Sequence, residues 1–249
     1  MIDIKTFSTV KDISVYTLNI LKETAASGQT KKTSAALSFG NTYNAIFKDW
    51  AYLLKDDITS AVKLPELFPA DERIVDLKDP ASNWGIARKL FIDYCGTESD
   101  KRRWASDSAT YLKMLETYFE TTNTDDWIFD VIFLGLGPDG HTASLFPGNI
   151  PEESSAEWNN PVLKTKSPFE PPNRLTLGPE LIARSRRLFL TVTGASKVEI
   201  FKRFLNEIND EEDKGTPQSL LPPSKIINYR KTLGLKTEIL CDKEGANAF

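Results

Sequence analysis

The sequence holds a single histidine, His141, and imidazole is the side chain whose ordinary pKa lies closest to neutrality. His141 ends the glycine-rich turn Gly135-Leu-Gly-Pro-Asp-Gly140, directly after the apolar run Ile128 to Leu134. Asp139 stands two positions earlier, close enough to orient the ring and raise its basicity. Taken in isolation, such a histidine is also compatible with a structural role in a turn. Its place just beyond a buried strand points to proton transfer, because ligands of open α/β sheets collect past the carboxyl ends of the strands. Lys197 occupies a comparable place, in Gly194-Ala-Ser-Lys197, where a second apolar run passes into a helix. Backbone N–H groups at a helix start attract anions, and a lysine adds a full charge, although an ordinary solvated lysine reads the same way. The G-x-x-x-x-G-K spacing of a nucleotide loop is missing. The turn does match G-x-G-x-x-G, but Pro147-Gly148 interrupts the chain before a full helix can follow, which argues against a nicotinamide site. One histidine and two distant cysteines, Cys95 and Cys241, make no metal-ligand set. No G-x-S-x-G elbow exists for a serine hydrolase, and Ser144 alone is a weak nucleophile candidate.

The elements that must carry these residues follow from hydrophobic spacing. Ile128 to Leu134 is too short for a helix and rich in β-branched and aromatic residues, so it reads as a strand buried on both faces. Residues 188–193 read the same way. Val10, Ile13, Tyr16, Ile20 and Leu21 predict an amphipathic helix over 10–24, followed by a short strand at 33–37. Ser38-Phe-Gly-Asn-Thr42 is a turn into a second helix marked by Tyr43, Ile46, Phe47, Trp50 and Leu54. Ser82-Asn83 is positioned to cap a helix carrying Trp84, Ala87, Leu90, Phe91 and Tyr94. A further helix is expected over about 105–121. Strand candidates at 161–165 and 174–177 precede a helix over 179–185, with Pro179 in its first turn. A helix after Lys197 carries Val198, Phe201, Phe204, Leu205 and Ile208, and a last strand is expected over 235–240. The charged stretch 210–217 reads as a solvated loop. Strands alternating with helices predict one α/β domain over 1–249, with a mainly parallel, Rossmann-like sheet flanked by helices.

Composition narrows the function classes. The chain has 249 residues, 40% hydrophobic, with a formal net charge of -4, which gives no electrostatic reason to expect nucleic acid. Two cysteines form no disulfide framework. The first residues lack the basic start and apolar stretch of a signal peptide, and no run reaches the ~18 apolar residues of a membrane span. A cytoplasmic protein acting on a small molecule, with neither nucleic acid nor membrane as a partner, is the expectation.

The stretch Gly135-Leu-Gly-Pro-Asp-Gly-His-Thr-Ala-Ser-Leu-Phe-Pro-Gly148 resembles the signature of 6-phosphogluconolactonases, which belong with the sugar-phosphate isomerases and deaminases of the glucosamine-6-phosphate type. Asp71-Glu72-Arg73, Ser82-Asn83, Arg174-Leu-Thr-Leu177 and Thr193-Gly-Ala-Ser-Lys197 fall in the family's order, so the likeness runs from about residue 35 to about 225. The resemblance implies hydrolysis of 6-phosphoglucono-lactone in the oxidative pentose phosphate pathway, without metal or organic cofactor, by a monomer or small homo-oligomer. It implies that His141 acts as the base with Asp139 behind it. Arg73, Lys197 and Arg174 would contact phosphate, while Asp71 orients Arg73 or substrate hydroxyls. Gly40, Asn41 and Thr42 would form the phosphate loop. There the sequence departs from the family's consecutive glycines, with Phe39 and Asn41 in place, and Ala70 stands where glycine is frequent. Phe39 resists positive φ, so an altered cradle is expected. The rival activities on the same scaffold are glucosamine-6-phosphate deamination or isomerisation, and sugar-phosphate binding without turnover.

Overall fold

A computed structural model describes residues 1–28, 32–55, 63–209 and 220–248; the stretch 210–217 expected to be a solvated loop lies outside them. The buried run at the centre of the sequence becomes β5 (Val131–Gly135). It begins later than its apolar run, because Trp127 and Phe129 leave the sheet. They pack instead on Phe119 of the helix Ser108–Phe119, with ring centroids 5.6 and 5.5 Å away.

Six parallel strands form the main sheet: β1 (Ile2–Phe7), β2 (Ser34–Leu37), β3 (Glu66–Pro69), β5, β8 (Arg187–Val192) and β9 (Thr237–Asp242). Their spatial order is β1-β9-β8-β5-β2-β3. From β2 the chain moves to β3 on one side, and from β5 it moves to β8 on the other. The strand order therefore reverses between β2 and β5, where an open α/β sheet leaves a crevice at its carboxyl edge.

Alternation along each strand decides which layer a side chain joins. Ala35, Leu37, Val131 and Phe133 face one buried cluster with α1 (Val10–Ser27) and α2 (Asn41–Lys55). Ala36, Ile132 and Leu134 face the other, with α8 (Val198–Asn209) and α9 (Pro222–Thr232). Both faces are covered, which is why the parallel strands read as unbroken apolar runs. The α/β class with a mainly parallel sheet flanked by helices is as the sequence indicates.

At Ala70 the chain leaves the main sheet. Its N–H donates to Leu37 O at 2.8 Å and its carbonyl accepts from Leu177 N at 2.8 Å. This corner launches β4 (Asp71–Arg73), which with β6 (Val162–Lys166) and β7 (Asn173–Leu177) forms a small antiparallel sheet in the order β4-β7-β6.

Among the elements that periodicity leaves unmarked are β1 and α9. Edge strand β1 alternates only weakly. Helix α9 opens on two prolines and turns Lys225 and Arg230 inward. The Arg230 guanidinium donates to the carbonyls of Ala183, Ser185, Arg186 and Lys236 at 2.5 to 3.1 Å, taking up acceptors left free where the helix Pro179–Ala183 ends. Burial lowers its pKa to about 10. The helix carrying Trp84 is short, Asn83–Ala87, and its continuation through Tyr94 includes a π-helical turn at Arg88–Ile92.

Candidate active site

At the reversal point lies a cavity of about 530 Å³, a size suited to a small-molecule ligand. Its walls come from four segments: Ser38 to Thr42 after β2, Asp71 and Arg73 on β4, Gly135 to Pro138 with His141 after β5, and Thr193, Ser196 and Lys197 after β8.

The β5 turn explains the position of His141. Gly137 N–H donates to His141 O at 2.8 Å and Gly140 N–H to Gly137 O at 2.9 Å. A Cβ on Gly137 would overlap both the imidazole and the Asp139 carboxylate, so only glycine lets the ring fold back over the turn. Gly140 has φ +89°, the left-handed region that favours glycine. His141 Nδ1 forms a short hydrogen bond with Asp139 Oδ1. Burial works to raise the Asp139 carboxyl, but the bond to His141 and its charge prevail and hold the group below the usual carboxylate range. An ionised carboxylate only accepts, so Nδ1 is the donor in this bond. Asp139 itself stays behind the ring rather than in the cavity wall.

The phosphate-loop positions also line the cavity. Gly40 has φ +95° and accepts from Asn44 N at 2.8 Å, so it starts α2 with the helix's positive end toward the cavity. Asn41 and Thr42 are the first two residues of α2, and Thr42 Oγ1 lies 2.7 Å from Thr193 Oγ1. Phe39 is not among the residues with positive φ. Its ring instead meets Phe47 and Trp84 edge-on, at 6.0 and 6.3 Å. The left-handed step expected to trouble Phe39 is thus confined to Gly40.

Lys197 lines the same cavity, though its setting differs from a free helix start. The N–H groups of Gly194 and Ala195 are engaged by Asp242 and Glu244, at 3.1 and 3.0 Å. What Lys197 offers an anion is therefore its ammonium. Burial lowers the pKa of that group, and nearby Asp242 opposes the shift.

Arg73 and Asp71 reach the cavity from β4, while Glu72 points the other way. Arg73 Nη1 donates to Ala81 O at 2.7 Å. Asp71 Oδ2 accepts from Ser144 Oγ at 2.7 Å and lies 3.4 Å from Asn83 Nδ2. Arg174 is set back. It pairs in register with Arg73 but is 5% exposed and outside the cavity wall. Its Nη2 donates to Ser167 Oγ and Phe169 O at 3.3 and 3.4 Å, and its Nε and Nη1 find no acceptor among the described residues. Burial lowers its pKa, and the charge of Arg73 adds to that effect. Thr193, Ser196 and Asn83 also line the cavity. Ser144, a weak nucleophile candidate in the sequence, is a buried partner of Asp71.

The model of one family, described as glucosamine-6-phosphate isomerases/6-phosphogluconolactonase, matches residues 9–232. A Schizosaccharomyces pombe protein named "Probable 6-phosphogluconolactonase" is 34% identical over 150 residues, 54% of this chain and 58% of that protein. Saccharomyces cerevisiae 6-phosphogluconolactonase 4 is 30% identical over 240 residues, 90% of this chain and 88% of the yeast protein. The structure of 6-phosphogluconolactonase from Trypanosoma cruzi, 24% identical, superposes with a TM-score of 0.72 over 99% of this chain and 96% of that one, a likeness of fold. With nearly its whole length matched, the chain belongs to the glucosamine-6-phosphate isomerase/6-phosphogluconolactonase family.

Proposed function

We propose that the protein hydrolyses 6-phospho-D-glucono-1,5-lactone to 6-phosphogluconate, as a cytoplasmic enzyme of the oxidative pentose phosphate pathway. One observation carries the reading: a histidine backed by a carboxylate shares a cavity of about 530 Å³ with Arg73 and Lys197. A phosphorylated lactone needs a base at one end and cations at the other.

In this reading Nε2 of His141 takes a proton from water as the water oxygen bonds to the lactone carbonyl carbon. Asp139 stabilises the imidazolium that forms. Collapse of the tetrahedral intermediate breaks the bond to the ring oxygen. The imidazolium returns its proton to that oxygen, giving a hydroxyl and a carboxylic acid that ionises in water. Lys197, Arg73 and the start of α2 at Gly40, Asn41 and Thr42 hold the phosphate. Arg174 adds positive potential behind Arg73, its guanidinium bonded to Ser167 and Phe169 instead, and Asp71 meets substrate hydroxyls. A lactone is an activated ester, so one base with charge stabilisation suffices, and no metal or organic cofactor enters the scheme.

A coupled assay on freshly made lactone tests this. Release of 6-phosphogluconate well above the spontaneous rate is expected. Ammonia release from glucosamine 6-phosphate without lactone hydrolysis would move the protein to the deaminase branch. Binding of 6-phosphogluconate with no turnover would make it a sugar-phosphate-binding relative.

A further inference from the structure

Glu72 takes no part in the chemistry above. Alternation along β4 puts Asp71 and Arg73 toward the cavity and Glu72 on the opposite face, where it is 1% exposed. Its carboxylate is nonetheless fully engaged. Oε1 accepts from the backbone N–H of Arg73 at 2.6 Å and of Asn83 at 2.7 Å. Oε2 accepts from Trp84 N–H at 2.7 Å and from Ser82 Oγ at 3.2 Å. The turn gathered in this way reaches back to both cavity-facing residues. Arg73 Nη1 donates to Ala81 O at 2.7 Å, and Asn83 Nδ2 donates to Asp71 O at 3.3 Å. The turn is packed tightly as well: a Cβ on Gly85 would overlap Leu77 O.

We propose that Glu72 is a positioning residue, whose carboxylate clasps residues 81–84 against β4 and so fixes the direction in which Arg73 presents its guanidinium to the substrate phosphate. The proposal rests on the lactonase reading for the identity of that phosphate. Its physical basis is acceptor capacity. An ionised carboxylate takes four hydrogen bonds with no donor of its own to place. A glutamine has one acceptor oxygen, and its NH2 would face two of the same donors. Burying a carboxylate is costly unless its bonds are made, and here three of the four go to residues 82–84 and the fourth to the N–H of Arg73 itself.

Glu72→Gln, assayed on 6-phosphoglucono-lactone and on the same lactone without phosphate, separates positioning from general damage. A KM rise of about tenfold or more is expected on the phosphorylated lactone, the scale of one lost charge-assisted hydrogen bond. Its kcat stays within about threefold, the pattern of lost uniform binding. Turnover of the unphosphorylated lactone stays unchanged. In an Arg73→Ala background the substitution adds no further rise, because both act on one contact. Unchanged KM, or equal losses on both lactones, overturns the proposal. If Glu72→Gln does not fold, Ser82→Ala is assayed in its place, with the same selective loss expected and the same results counting against it. A wild type without lactonase activity defeats the functional reading instead. In that case calorimetric binding of 6-phosphogluconate to wild type and Glu72→Gln decides the role of the clasp, and equal affinities overturn it.

Discussion

Ser144 Oγ donates a 2.7 Å hydrogen bond to Asp71 Oδ2, joining the histidine turn after β5 to strand β4 across 73 residues of sequence. Both side chains are buried, at 2% and 7% exposure. Ser144→Ala leaves a buried carboxylate oxygen short of a donor, so a loss of about 1–3 kcal/mol in unfolding free energy is expected. Urea denaturation measures it. A midpoint equal to wild type would show that Asp71 finds another donor.

His141→Ala should lower kcat at least about a hundredfold, the usual scale for loss of a general base. Asp139→Asn keeps the shape but no longer selects the Nδ1–H tautomer through an ionised acceptor, so kcat should fall there too, with KM little changed. Steady-state kinetics on fresh lactone reports both. Near-normal turnover of His141→Ala would remove the imidazole from the mechanism.

Gly137→Ala should reduce turnover without unfolding the protein. The added methyl would occupy the space of the imidazole and the Asp139 carboxylate, and the ring would have to move to accept it. A variant with wild-type kcat and an unaltered melting temperature would mean that the turn shifts at no cost to the ring.

Much of this arrangement was legible because it is local. The β5 run, the glycine turn and His141 with Asp139 are encoded within about a dozen consecutive residues, and the family motif fixed the remaining candidates in order. What escaped depends on contacts distant in sequence. Glu72 has no assigned role in the sequence until α3, the helix Asn83–Ala87, brings its backbone N–H groups to it. Nothing local marks Arg230, yet four carbonyls from two other segments surround it. Of the groups expected to meet an anion at Gly194–Lys197, the N–H groups of Gly194 and Ala195 are already capped by Asp242 and Glu244, some 48 residues on, which leaves the Lys197 ammonium. Phe39 stays outside the left-handed region, in keeping with its reluctance to take positive φ, and aromatic packing against Phe47 and Trp84 decides where its ring goes.

Arg230→Met should destabilise the protein by at least about 2 kcal/mol. The apolar side chain fills similar space but leaves buried carbonyls without donors. Catalysis should be unaffected at temperatures where the variant is folded, because none of its contacts lines the cavity. A chemically unfolded midpoint equal to wild type would place water on those carbonyls.

Glu72 also sets a pH signature. Burial raises its pKa from 4.5 to about 7, and the N–H donors of Trp84, Arg73 and Asn83 resist that shift while the charge of Asp71 adds to it. A folded-state value above the unfolded one means the native form binds the proton more tightly. Its contribution is therefore complete below pH 4.5 and lost as pH rises through about 7. The size is on the order of 3 kcal/mol at full effect. Glu72→Gln has no proton to lose, so its stability should lack this downward step. The wild-type minus variant difference in unfolding free energy should fall steadily between pH 4.5 and 7 and then flatten. The clasp on Arg73 is tightest when Glu72 is ionised, so substrate grip strengthens as pH rises through about 7. A difference that stays flat, or rises, with pH would mean the four donors outweigh burial and keep the carboxylate ionised throughout.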